Sequence, residues 1–219
     1  MKTTNIMGLA LITASGAAMA GPVYDLQPGA IYEGLSGITS AQMPELRGAV
    51  VNDYYNDFTI DALAGDSVSL YEGTMLTRVV RSNMTGNLTL NFQFTGGNPN
   101  LDGQIKHIEI TGFDGMQTRV EYRSEPGYGD ESPILASRSD DGDMISYSFG
   151  EDFLPGESSM FFFAMLDVSE YDFDSKNPQA TVYLFSGESV TIDLGQPVPT
   201  PGSLALLAMG GAFATRRRR

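Results

Sequence analysis

The sequence contains no cysteine and no tryptophan, and its 219 residues include one histidine, His107. Without cysteine there is no disulfide, no thiolate metal site, no cysteine nucleophile and no lipid-modified cysteine. A lone imidazole excludes any site built on several histidines. Charge is scarce too, at 18% of residues against roughly 25% in typical soluble domains. Basic residues are rarest in the middle of the chain. Of 13 Lys and Arg, five lie in the end segments (Lys2, Arg216, Arg217, Arg218 and Arg219). That leaves eight against all 27 acids, a body charge of −19. Such a field repels phosphate backbones and anionic headgroups, so nucleic acid is not an expected partner. Cations, or a cationic or neutral polymer, are favoured. Also missing are a Gly-x-Ser-x-Gly elbow, a phosphate loop and a dinucleotide fingerprint.

The two ends read as addresses. Lys2 precedes an apolar stretch over residues 6–20 that closes on Ala18-Met19-Ala20. A cationic start, an apolar core and a small-x-small ending make a secretory signal peptide. Ala18 and Ala20 are then the residues read by signal peptidase, and the mature chain begins at Gly21. At the other end, Pro199-Thr200-Pro201-Gly202 leads into an apolar run over residues 204–214, with Leu204, Leu206, Leu207 and Phe213 as its large side chains. Those eleven residues make about 17 Å of helix, against a membrane core of about 30 Å. The run ends in Arg216, Arg217, Arg218 and Arg219, which the positive-inside rule keeps cytoplasmic. So short an anchor suits a handle that is cut better than a permanent tether. A plain tail anchor is the alternative.

This tail resembles the PEP-CTERM sorting signal: a proline motif, a short apolar helix and a terminal arginine cluster. It departs from the family at Thr200, where glutamate is usual. The resemblance covers residues 198–219. It implies processing by exosortase, an integral-membrane protease or transpeptidase of Gram-negative bacteria that make exopolysaccharide. The implied destination, after transient tethering to the inner membrane, is the cell surface or an extracellular polymer matrix, with polysaccharide as a partner.

Between the ends, residues 21–197 show period-two alternation broken by Gly, Pro, Asn and Asp, the mark of strands and turns. In Leu88-Thr89-Leu90-Asn91-Phe92-Gln93-Phe94 the apolar side chains share one face. Ile145, Tyr147 and Phe149 repeat the pattern, as do Val190, Ile192 and Leu194. Val120 and Tyr122 alternate with Arg119, Glu121 and Arg123, which are thus expected on the polar face. Residues 160–166 are apolar throughout and predict a central strand covered on both sides. The fold expected is all-β, one antiparallel β-sandwich, with a jelly-roll connection or closed barrel as alternatives. A signal helix and a short apolar helix flank it. The weaker pattern over residues 21–52 predicts irregular strands wrapping the sandwich, with a short helical turn near residues 41–46.

Chemistry is thin in this body. Asp140, Asp141 and Asp143 crowd one turn and could offer oxygens to calcium, the one cofactor considered. The simpler reading is a hairpin turn shaped by Asp141-Gly142. Asp172 and Asp174 begin like a calcium loop but lack its glycine and closing glutamate. Paired carboxylates carry no signal among 27 acids, and Tyr54, Tyr55 and Tyr128, the aromatic alternatives to tryptophan for stacking a sugar, read as strand or turn residues. His107 reads as a solvent-facing strand residue. No enzyme is expected. The expectation is an exported, non-enzymatic sandwich, with a carbohydrate- or calcium-binding module or a tail-anchored periplasmic protein as the alternatives.

Overall fold

The computed structural model describes residues 23–63, 68–151 and 153–195. Twelve strands, all paired antiparallel, form two six-stranded sheets. In chain order they are β1 (Tyr24–Asp25), β2 (Ile31–Glu33), β3 (Gly48–Asp61), β4 (Ser69–Ser82), β5 (Leu88–Gly96), β6 (Ile105–Ile110), β7 (Thr118–Tyr122), β8 (Pro133–Arg138), β9 (Ile145–Phe149), β10 (Phe162–Leu166), β11 (Gln179–Leu184) and β12 (Ser189–Asp193). One sheet runs β1-β7-β10-β5-β4-β3 and the other β12-β11-β6-β9-β8-β2. The single α-helix among the described residues is the one turn Phe173–Lys176, capped by Asp172. None of the helices described is long and apolar enough to cross a membrane. The signal segment, the proline motif, the apolar run and the arginines lie outside the described residues.

Alternation accounts for the core. Leu88, Leu90, Phe92 and Phe94 of β5 meet Ile145, Tyr147 and Phe149 of β9, with Val182 and Ile192 joining from β11 and β12. Phe94 touches four other aromatic rings, Phe58, Phe149, Phe153 and Phe162, at centroid distances of 5.9 to 6.3 Å. The glycine- and aspartate-rich turns at residues 102–103, 114–115, 141–142, 154–157 and 186–187 all fall between strands.

The longest hairpin, β3 with β4, carries no clear alternation in the sequence. A register shift between Val50 and Asn52 breaks the period. Beyond it Tyr54, Asn56, Phe58 and Ile60 point inward while Asp53, Tyr55, Asp57 and Thr59 stay outside.

Residues 34–47 form a strap. Ile38 pairs beside Arg123 at the edge of β7, and the 3-10 turn Pro44–Leu46 follows. Ile38 and Leu46 then bury against Phe163 and Met165, making a second, small core on the outer face of the first sheet. This is why β10 is apolar at every position: Phe162, Ala164 and Leu166 fill the sandwich, and Phe163 and Met165 lie under the strap.

The strap also corrects one expectation. Glu121 is not on a wet polar face but wholly buried. Its carboxylate accepts the amides of Gly37 (3.1 Å), Ser36 (3.3 Å) and Tyr122 (3.0 Å). Burial pushes its pKa up; the three amide donors pull it down and do not fully offset that rise.

Candidate functional site

The acidic turn at residues 139–143 fastens itself. Asp141 accepts the Ser139 hydroxyl and the Asp143 amide (3.1 Å), which holds its carboxyl below the usual range. Asp143 accepts the amides of Gly112 and Asp114, each at 3.1 Å, across to the β6–β7 turn. Asp140 sits apart, against Gly29. No group of three or more acids or histidines placed to hold a metal occurs among the described residues. Asp141 and Asp143 accept backbone amides and so shape the turn.

Beside Gly142 and Asp143 lies Arg138, 6% exposed. Its guanidinium donates to the carbonyls of Gly142 (2.8 Å), Leu26 (2.9 Å), Phe113 (3.0 Å) and Met116 (2.8 Å) and to the Thr118 hydroxyl (3.2 Å). One side chain thus ties together the β6–β7 and β8–β9 turns and the ends of β1 and β7. Burial lowers its pKa, and Asp114, Asp143 and Asp167 oppose that shift.

The outer face of the second sheet is rich in hydroxyls. Two rows cross it in register: Glu33, Leu135, Ser148, His107, Tyr183, Ser189, and beside it Ile31, Ser137, Ser146, Glu109, Thr181, Thr191. His107 is on this face, as the alternation implies, yet it is half-buried because its ring stacks on Tyr183 at 4.4 Å. Glu109 accepts the Tyr183 hydroxyl (3.1 Å) and lies 3.7 Å from the imidazole. Burial lowers the His107 pKa, and Glu109 only partly counters this. An NMR titration of this one imidazole is expected to give a midpoint below 6.5. A midpoint above that value would mean that Glu109, not the stacked ring, sets its protonation.

The open half of the first sheet's outer face carries the third cluster. Asp53 on β3, Arg78 on β4 and Asn91 on β5 lie side by side in register. Asp53 grips Arg78 through two bonds of 2.8 Å and keeps it charged. The Arg78 guanidinium lies 5.5 Å from the Phe161 ring centre. Phe161 meets Tyr128 edge-on at 5.5 Å, and Arg123 lies 5.5 Å from the Tyr128 ring centre. Glu125 closes the series with two bonds to Arg123, 2.9 and 2.6 Å. Burial alone would raise the Glu125 carboxyl, but Arg123 and the Ser40 amide hold it below its ordinary value. Arg78, Val80, Asn91, Arg123, Tyr128 and Phe161 line a shallow depression of about 40 Å³.

No protein-family model, curated protein or solved structure matches this chain. Its chemistry therefore rests on the side chains themselves.

The three tyrosines read from the sequence as strand or turn residues have three different roles in the structure. Tyr54 packs on the core and on Phe173 at 4.9 Å, Tyr55 is exposed on β3, and Tyr128 joins the arginine–aromatic ladder. Arg78, Arg123 and Phe161 were not singled out by the sequence pattern. They meet only because the strand order places β7, β10, β5 and β4 side by side, and no local spacing carries that order.

Proposed function

We propose that this is an exported, non-enzymatic sandwich protein, sorted through its C-terminal segment to the cell surface or an extracellular matrix. The observation that carries the reading is the order of parts in one chain. A signal peptide ends at Ala18 and Ala20, and a self-contained two-sheet body follows. Then come Pro199-Thr200-Pro201-Gly202, a short apolar run from Leu204 to Phe213, and Arg216, Arg217, Arg218 and Arg219. In this reading the apolar run and the arginines hold the chain at the inner membrane until an exosortase-type enzyme acts near the proline motif. In this reading the two flanking segments belong to targeting, not to the fold. A body of charge −19 stays soluble and keeps away from anionic surfaces. The hydroxyl rows around His107 and the ladder around Tyr128 favour a binding role within that setting over catalysis.

The test is fractionation of native cells that express the full chain or a variant with Arg216, Arg217, Arg218 and Arg219 all changed to Ser. Wild type is expected in the surface or medium fraction. The variant is expected to fall out of that route and to accumulate unprocessed. Identical distribution of the two would remove the sorting role from the tail.

A further inference from the structure

We propose that the ladder formed by Arg78, Phe161, Tyr128 and Arg123 is a binding site for a neutral polysaccharide chain lying across the outer face of the first sheet. This deepens the matrix reading, on which it rests for its biological setting, by giving the polymer a chemical class.

Three observations point to a ligand. First, the site is held in place beyond what folding requires. Tyr128 is 36% exposed and adds little to the core, yet its loop is fixed from two sides. The Gln93 side-chain amide donates to the Tyr128 carbonyl (2.7 Å) and the Ser159 carbonyl (3.1 Å). At Gly129, φ is +133° and an added Cβ would collide with the Ser159 carbonyl, so only glycine fits. Partly exposed ion pairs such as Arg78–Asp53 contribute about 0–1 kcal/mol each, so stability is a weak reason to keep this arrangement. Pre-set geometry, by contrast, lowers the ordering cost of binding.

Second, the groups offered are those a sugar uses. The partly exposed Tyr128 ring receives the C–H side of a pyranose, with the buried Phe161 ring packed edge-on against it. Each guanidinium has its Nε and one Nη on a carboxylate. The other Nη of each has no partner among the described residues, and carboxylate oxygens accept more than one bond. Donors and acceptors locked beside an aromatic ring match a vicinal pair of hydroxyls.

Third, charge selects the class. The two arginines are cancelled by Asp53 and Glu125, so the site has no net charge to attract an anion. The surrounding body, at −19, repels acidic polymers. The depression of about 40 Å³ takes one hydroxymethyl group and not a whole ring, so the occupant lies over the surface as an extended chain.

The experiment uses the whole chain purified in mild detergent and titrated with hexasaccharides of glucose, mannose and galactose, with an oligogalacturonate as the acidic probe. At least one neutral hexasaccharide is expected to bind. Amide shifts are expected at Arg78, Asn91 and Tyr128, and Tyr128→Ala should weaken binding at least tenfold at an unchanged melting temperature. Tyr55→Ala, on the same face outside the ladder, should leave binding unchanged. Binding of oligogalacturonate alone, shifts centred on the His107 face, insensitivity to Tyr128→Ala, or no binding by any neutral probe would each overturn the proposal. These outcomes do not bear on tail processing, and an uncut tail would not bear on them.

Discussion

Arg138→Met is expected to lower the unfolding free energy by about 3–5 kcal/mol, the upper end for a single substitution. Methionine restores much of the volume but none of the donors. The carbonyls of Leu26, Phe113, Met116 and Gly142 then lose a charged partner inside the protein. The Phe113 carbonyl keeps the Met116 amide and the Leu26 carbonyl keeps the Thr118 hydroxyl, so the carbonyls of Met116 and Gly142 lose most, at about 1–3 kcal/mol for each buried acceptor left unpaired. The effect spreads because the contacts come from segments far apart in the chain. β1 is only two residues long and, among the described strands, pairs with β7 alone, so the Leu26 contact is a large part of what holds it. Arg138→Lys should restore little, since one ammonium cannot span five acceptors in a planar fork. Urea unfolding of the three proteins checks this. A loss under about 1 kcal/mol for Arg138→Met would mean the network forms independently of the guanidinium.

Glu121→Gln is expected to loosen the strap and to change how stability responds to pH. A carboxylate accepts all three amides that face it; a glutamine presents its NH₂ to one of them. The loss is about 1–3 kcal/mol, read most directly as faster hydrogen exchange at Ser36 and Gly37. The pH dependence follows from the raised pKa of Glu121. Between its ordinary 4.5 and the higher folded value, the folded protein holds a proton the unfolded chain has released. The associated stability is complete below about 4.5 and is lost as pH rises through the folded value. The variant cannot titrate there, so the gap between wild type and Glu121→Gln should narrow as pH rises. His107 acts in the opposite sense: its lowered pKa costs stability as pH falls below 6.5. Comparing both proteins in a His107→Gln background therefore isolates the carboxyl. A gap that widens with pH would mean that the charged form of Glu121 is the favoured one in the fold.

Much of the sandwich is written in local alternation. Leu88, Leu90, Phe92 and Phe94 could be assigned to the core from spacing alone, and so could Ile145, Tyr147 and Phe149. The unbroken apolar run before and through β10 announced a strand buried on both sides. What alternation cannot report is cover supplied from elsewhere in the chain. Glu121 looks like an outward strand residue, and it is outward; residues 34–47 lie over it. The ladder is hidden for the same reason. Arg78, Phe161 and the Arg123–Tyr128 segment are three separate stretches of chain, which the strand order brings together. The turn at Asp140, Asp141 and Asp143 was legible as a turn. Its role beside Arg138 depends on the β6–β7 turn reaching across to it.

The most direct test of the functional account is the intact mass, with C-terminal peptide mapping, of the protein isolated from its native cells. The account predicts a mature chain that starts at Gly21 and ends near the Pro199-Thr200-Pro201-Gly202 motif. A chain that still carries Arg216, Arg217, Arg218 and Arg219 would contradict it and make the tail a permanent anchor.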